Sequence, residues 1–102
     1  MDASAASPRG QPSRQASRVA IAADVQFRSG MRRFQASVSD LSTHGARISA
    51  AHVMRVGDRF FLKFSTLEAL EAEVVWVDSF EAGCRFARPL HPAAFETVVR
   101  SV

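Results

Sequence analysis

The sequence holds a single cysteine, Cys84, and that scarcity removes several classes of protein at once. A lone thiol forms no internal disulfide and leaves no Cys-based zinc site. Long apolar runs are missing too, since none approaches the roughly 20 residues that a membrane-spanning helix needs. Met1 to Ser13 lacks the apolar core of a secretory leader, so the expected compartment is the cytoplasm. The three histidines, His44, His52 and His91, stand in separate connecting segments without H-x-x-x-H spacing. There is no glycine-rich phosphate loop. Glu68, Glu71 and Glu73 alternate with apolar residues as a solvated strand face does, which is a poor setting for an acid–base pair. Cys84 falls on an inward strand position and reads as a small core residue rather than a nucleophile. Together these features point away from an enzyme, and no cofactor or metal is expected.

What remains is enough for one small domain. The 102 residues are 47% hydrophobic, which supplies one modest core. The formal net charge is +3, and Arg9, Arg14 and Arg18 crowd into the N-terminal end. That asymmetry suits an anionic partner for the N-terminal arm. Residues 1–17 are Ala, Ser, Pro, Gly, Gln, Asp and Arg, with no large hydrophobe after Met1. Such a segment buries too little surface to offset its ordering entropy, so it is expected to be disordered in the free protein. The chain therefore divides into a disordered tail over 1–13 and a folded domain over 14–102 that includes the arginine arm.

From Val19 the pattern has the period of strands. Ile21, Ala23, Val25 and Phe27 share one face, Ser29-Gly30 signals a hairpin, and Phe34, Ala36 and Val38 alternate with Arg33, Gln35, Ser37 and Ser39. Ala46 and Ile48 continue in a third strand, and Phe60, Leu62 and Phe64 in a fourth. Leu70, Ala72, Val74 and Trp76 make a fifth, with Trp76 placed in the core, while Asp78 to Gly83 turns into a sixth that carries Cys84 and Phe86 inward. Ala93 to Val102 reads as a terminal helix with Pro92 near its start. The expected fold is mostly β: a small six-stranded antiparallel barrel, capped by a short C-terminal helix, with a flexible N-terminal arm. Closure would remove the sheet edges that short strands otherwise expose.

One stretch interrupts the alternation. Asp40-Leu41-Ser42-Thr43-His44-Gly45 joins the second strand to the third with short polar residues and a glycine. Asp40 and Ser42 are residue types that bond nearby backbone in turns, and Gly45 can adopt positive φ or admit a close approach. Taken alone, D-x-S-x-x-G is an ordinary turn.

The hexamer gains meaning from Arg14-x-x-x-Arg18, about twenty residues upstream. The two motifs in this order resemble the PilZ domain, a bacterial receptor module for the second messenger cyclic di-GMP. Weaker likenesses are Gly57-Asp58 before a Phe-rich strand, Val74-Val75-Trp76-Val77, and Gly83-Cys84-Arg85-Phe86 before Pro89. Gln15 stands where many members carry another basic residue. The resemblance implies a cyclic di-GMP site made of Arg14, Arg18, Asp40, Ser42 and Gly45, and a protein effector as partner.

The chemistry of those residues agrees. Arginine's planar fork suits guanine O6 and N7 and phosphate oxygens, and it stacks on purine faces. A carboxylate at Asp40 accepts from the guanine imino and amino groups, Ser42 can bond a base edge or a phosphate, and Gly45 leaves room. Two alternatives use the same fold: an adaptor that contacts only proteins, and a barrel binding single-stranded nucleic acid. The latter expects aromatics on an exposed strand face, and only Phe61 is placed there by the alternation.

Overall fold

A computed structural model describes residues 18–102, so Arg14 and the 1–13 tail lie outside the described residues. The elements are β1 (Val19–Ser29), β2 (Arg32–Leu41), β3 (Gly45–Ala50), β4 (Arg59–Lys63), β5 (Leu70–Asp78), β6 (Glu81–Phe86) and α1 (Pro92–Ser101). The strands close into an antiparallel barrel in the order β1-β2-β3-β6-β5-β4. Closure comes from β1 meeting β4 through Gln26–Lys63, Phe27–Leu62 and Arg28–Phe61. Helix α1 begins with Pro92 at its first position, and the His91 ring Nδ1 accepts from the Ala93 amide at 3.0 Å. Its apolar stripe, Ala94, Phe95 and Val98, packs against the core.

Alternation fills the barrel. Ala23, Val25 and Phe27 from β1, Ala36 and Val38 from β2, Ala46 and Ile48 from β3, and Phe60 and Leu62 from β4 are all buried. Phe27 stacks on Phe60 with ring centroids 4.4 Å apart. Cys84 is buried among them, and burial pushes its thiol up to about 12, against a smaller lowering effect from a bond to the Ala46 backbone. It stays protonated and unreactive at neutral pH.

Three register shifts interrupt the ladders, one of them between Ala20 and Ala23 of β1, and the other two decide what faces outward. Between Val38 and Asp40 the β2–β3 register slips: Val38 opposes Ile48, yet Asp40 opposes Arg47. The extra residue, Ser39, is a β-bulge that reverses the facing of everything after it. Asp40 shares the parity of Ala36 and Val38 and would otherwise point inward. The bulge leaves it half-buried at the surface and sends Leu41 into the core instead. A second slip between Val74 and Trp76 acts likewise on β5. It overturns the core placement of Trp76: the indole is 38% exposed, and Val77 takes the inward position. Phe80 also lies outside, at the tip of the β5–β6 hairpin, so the aromatics are less uniformly inward than alternation implies.

That hairpin is tighter than expected. Asp78 pairs with Glu81, leaving a loop of Ser79 and Phe80 rather than a turn reaching to Gly83. Ser79 has φ 57°, a left-handed conformation that costs a non-glycine residue energy. Ser79→Gly should therefore stabilise the domain by about 1 kcal/mol. Chemical denaturation should show a raised midpoint with an unchanged slope, and an unchanged or lowered midpoint would mean that the conformation carries no strain.

Candidate functional site

The site begins where β1 enters the barrel. Ala20 of β1 lies opposite Asp40 of β2, which brings Arg18, just before Val19, beside the Asp40 carboxylate. The Arg18 guanidinium Nη1 sits 4.0 Å from Asp40 Oδ2, with the two side chains 64% and 26% exposed. An ion pair this long and this wet is worth at most about 1 kcal/mol. It orients both groups, yet an incoming anion with donors of its own can displace it at little cost.

The turn beyond Asp40 is held by Ser42. This residue is buried, and its Oγ accepts from the amides of His44 at 3.1 Å and Gly45 at 3.2 Å. The Ser42 amide in turn donates to the Gly45 carbonyl at 2.9 Å. The hydroxyl expected to contact a ligand thus also accepts from the turn's own backbone, and these bonds fix the loop's shape. Burying a hydroxyl without partners costs about 1–3 kcal/mol, so this internal satisfaction keeps the loop closed.

Gly45 does not have positive φ; only Gly30 and Gly57 do among the described glycines. Its reason is the close approach. A Cβ at position 45 would lie 2.1 Å from the Cys84 carbonyl oxygen on β6, an atom of rigid backbone. The expectation that Gly45 admits something close is met by the neighbouring strand of the protein itself.

The turn also anchors the chain leading to α1. The Thr43 carbonyl accepts from the Leu90 amide at 2.7 Å, and the His44 carbonyl from the Phe86 amide at 2.8 Å. The hexamer therefore touches both the Arg18–Asp40 pair and the segment that positions the C-terminal helix.

Two residues not singled out for a binding site adjoin it. Arg47 faces outward opposite Asp40, but its guanidinium turns the other way, to Glu81 Oε1 at 3.1 Å and over the Trp76 ring at 5.7 Å. Trp76 lies flat across Gly83, where a Cβ would come within 2.0 Å of the indole Nε1. Asp40, Arg47 and Trp76 thus stand on the outer surface of β2, β3 and β5, bridged by the bare backbone of Gly83 on β6. The Gly83 seat was legible in principle as a glycine inside a strand; the outward indole was not, because it depends on the bulge.

Among the described residues no three His, Cys, Asp or Glu side chains gather as a metal site. Arg14 is the one expected site residue outside the described residues. The model of the PilZ domain family matches residues 12–102, a span that includes both arginines of the arm. No curated protein matches the chain.

Proposed function

The chain belongs to the PilZ domain family, a family of cyclic di-GMP-binding domains, and from that premise we propose that it is a cyclic di-GMP receptor that signals to a protein partner. The observation that carries the reading is the meeting of Arg18 with the outward-turned Asp40 carboxylate at the mouth of the arginine arm. The ligand brings two phosphates and two guanines. Arg14 and Arg18 supply the cations and the forked donors for phosphate and for guanine O6 and N7. Asp40, released from Arg18, accepts from the guanine imino and amino groups. Ser42 and Gly45 act indirectly, the first by closing the turn and the second by letting β3 lie against β6. Trp76, half-exposed over Gly83, offers a flat apolar surface on the same side of the barrel. No bond in the ligand is broken, and recognition is a clamp between a cationic arm and a rigid turn.

The route outward runs through that turn. Its carbonyls at Thr43 and His44 hold Leu90 and Phe86, so a ligand that reshapes the hexamer acts on the segment before α1. An arm fixed on the ligand also changes the surface presented beside the barrel.

Discrimination between purines tests the reading. Calorimetric titration should give cyclic di-GMP a binding free energy on the order of −8 kcal/mol, a micromolar dissociation constant or better. Cyclic di-AMP should bind far more weakly, because adenine exchanges acceptor for donor at its six-position and lacks the two-amino group. Equal affinity for the two would remove the guanine-edge role of Asp40.

A further inference from the structure

At the opposite end of the β1–β2 ladder, eight residues along β1 from Ala20 and so roughly 26 Å away, the outer surface carries a second cationic feature. Arg28 and Arg33 are directly opposed across the two strands, and Arg32 and Met31 complete the hairpin. Like charges in facing positions destabilise an antiparallel pair. Neither arginine is relieved: among the described residues the ion pairs involve Arg18, Arg47, Arg85 and Arg100, not Arg28, Arg32 or Arg33. The Arg28 guanidinium instead lies 4.5 Å over the Phe61 ring on β4, which holds it in place without neutralising it.

These groups line a recess. A cavity of about 200 Å³ is bounded by Gln26, Arg28, Arg33, Phe61, Lys63 and Ala69. A second, of about 420 Å³, shares Gln26, Arg33 and Lys63 with it and continues towards Gln35 and Ser65. Lys63 spends donors on the carbonyls of Phe64 and Leu67, which fixes its ammonium at the junction. Asp24 marks the far end of the larger recess, and Glu71 lies beyond Phe61 as its partner on β5. Between those two carboxylates every charged group of the lining is a cation, set among the Gln26 and Gln35 amides, the Ser65 hydroxyl and the apolar Val25, Phe34, Phe61 and Ala69.

We infer that this trough is a docking site for an acidic, extended segment of a partner protein. Three cations, of which Arg28 and Lys63 are held in place, suit carboxylates, and the Gln26, Gln35 and Ser65 side chains suit the hydrogen-bonding groups of a peptide backbone. The linked recesses are too long for a single phosphate-sized ion. Nucleic acid is disfavoured because both rings in the lining are already engaged: Phe61 lies under Arg28, and Phe34 is stacked on His52 with Arg32 over its ring, so neither offers an open face for a base. The site shares no residue with the Arg18–Asp40 end, so its failure and the failure of the cyclic di-GMP reading are separable.

The probe is a fluorescein-labelled oligoglutamate peptide of about ten residues, titrated into the full chain at about 0.15 M salt, where attraction between exposed charges is screened beyond about 8 Å. Saturable binding is expected, with amide NMR shifts confined to the segments around Gln26, Arg33 and Lys63. The R28Q/R33Q double variant should lose at least about tenfold in affinity while melting no lower than the parent, because an unfavourable charge pair has gone. R33Q alone should show the same two effects in smaller measure, which separates lost binding from lost folding. Unchanged peptide affinity in the double variant, or shifts centred on Arg18 to Gly45, would overturn the proposal. Tighter binding of an oligothymidylate of equal charge, or of anionic phospholipid vesicles, would overturn it as well.

Discussion

Replacing Arg18 by alanine should weaken cyclic di-GMP binding by about 1.5–3 kcal/mol, the scale of hydrogen bonds to charged groups, which is one to two orders of magnitude in dissociation constant. The expectation rests on what Arg18 gives up. Its present partner, the Asp40 carboxylate 4.0 Å away, provides little, because the guanidinium is 64% exposed. A ligand that replaces this contact with phosphate and guanine contacts gains nearly the whole interaction. Arg14→Ala should cost a similar amount. Asp40→Ala should cost as much, but through a different term. The arginine variants should flatten the dependence of affinity on salt, since screening acts on the cation–phosphate attraction. The Asp40 variant should leave that dependence nearly unchanged, because its carboxylate reads a base. Calorimetry at two salt concentrations separates the cases. If both arginines can be removed without loss of affinity, the arm has no part in binding.

Gly45→Ala should be the most damaging single methyl in the barrel. The new Cβ would lie 2.1 Å from the Cys84 carbonyl oxygen, and that atom belongs to the β3–β6 ladder, where Gly45 opposes Arg85 and Ala46 opposes Cys84. Neither strand can move without disturbing its other neighbour, because the sheet is closed. Overpacking of this kind costs about 3 kcal/mol, a fall in melting temperature of more than about 10 °C for a domain of this size. Two other glycines serve as controls. Gly30→Ala meets nothing within 4 Å and suffers only from its φ of 61°, a cost of about 1 kcal/mol. Gly83→Ala meets the indole of Trp76, a half-exposed side chain that can swing away, so it should displace the tryptophan more than it destabilises the fold. Thermal melts that rank Gly45→Ala with Gly30→Ala would show that the close approach is not a constraint.

The alternation of Ala23, Val25 and Phe27, of Phe60 and Leu62, and of Ala46 and Ile48 was sufficient to place the strands and the contents of the barrel. Proline and the spacing of Phe95 and Val98 marked the terminal helix. The slips at Ser39 and Val75 were not legible. Nothing in the local pattern of Ser39 or Val75 shows that the facing strand is one residue short; that is a property of the pairing, set by distant partners. These two slips determine that Asp40 and Trp76 face outward, so the site depends on them. Ser42 illustrates a different limit. Its residue type is right for a turn and right for a ligand, and only the positions of the His44 and Gly45 amides show that its hydroxyl holds the turn.

The central claim is that the ligand brings the arginine arm and the Asp40 turn together. Amide hydrogen exchange with and without saturating cyclic di-GMP tests it most directly. The account predicts that ligand slows exchange at Arg14 to Val19 and at Asp40 to Gly45, with little change in Phe60 to Phe64, a stretch in or beside β4 whose Phe60, Leu62 and Phe64 side chains are in the core. Exchange at Arg14 to Val19 that is the same with and without saturating ligand would contradict it.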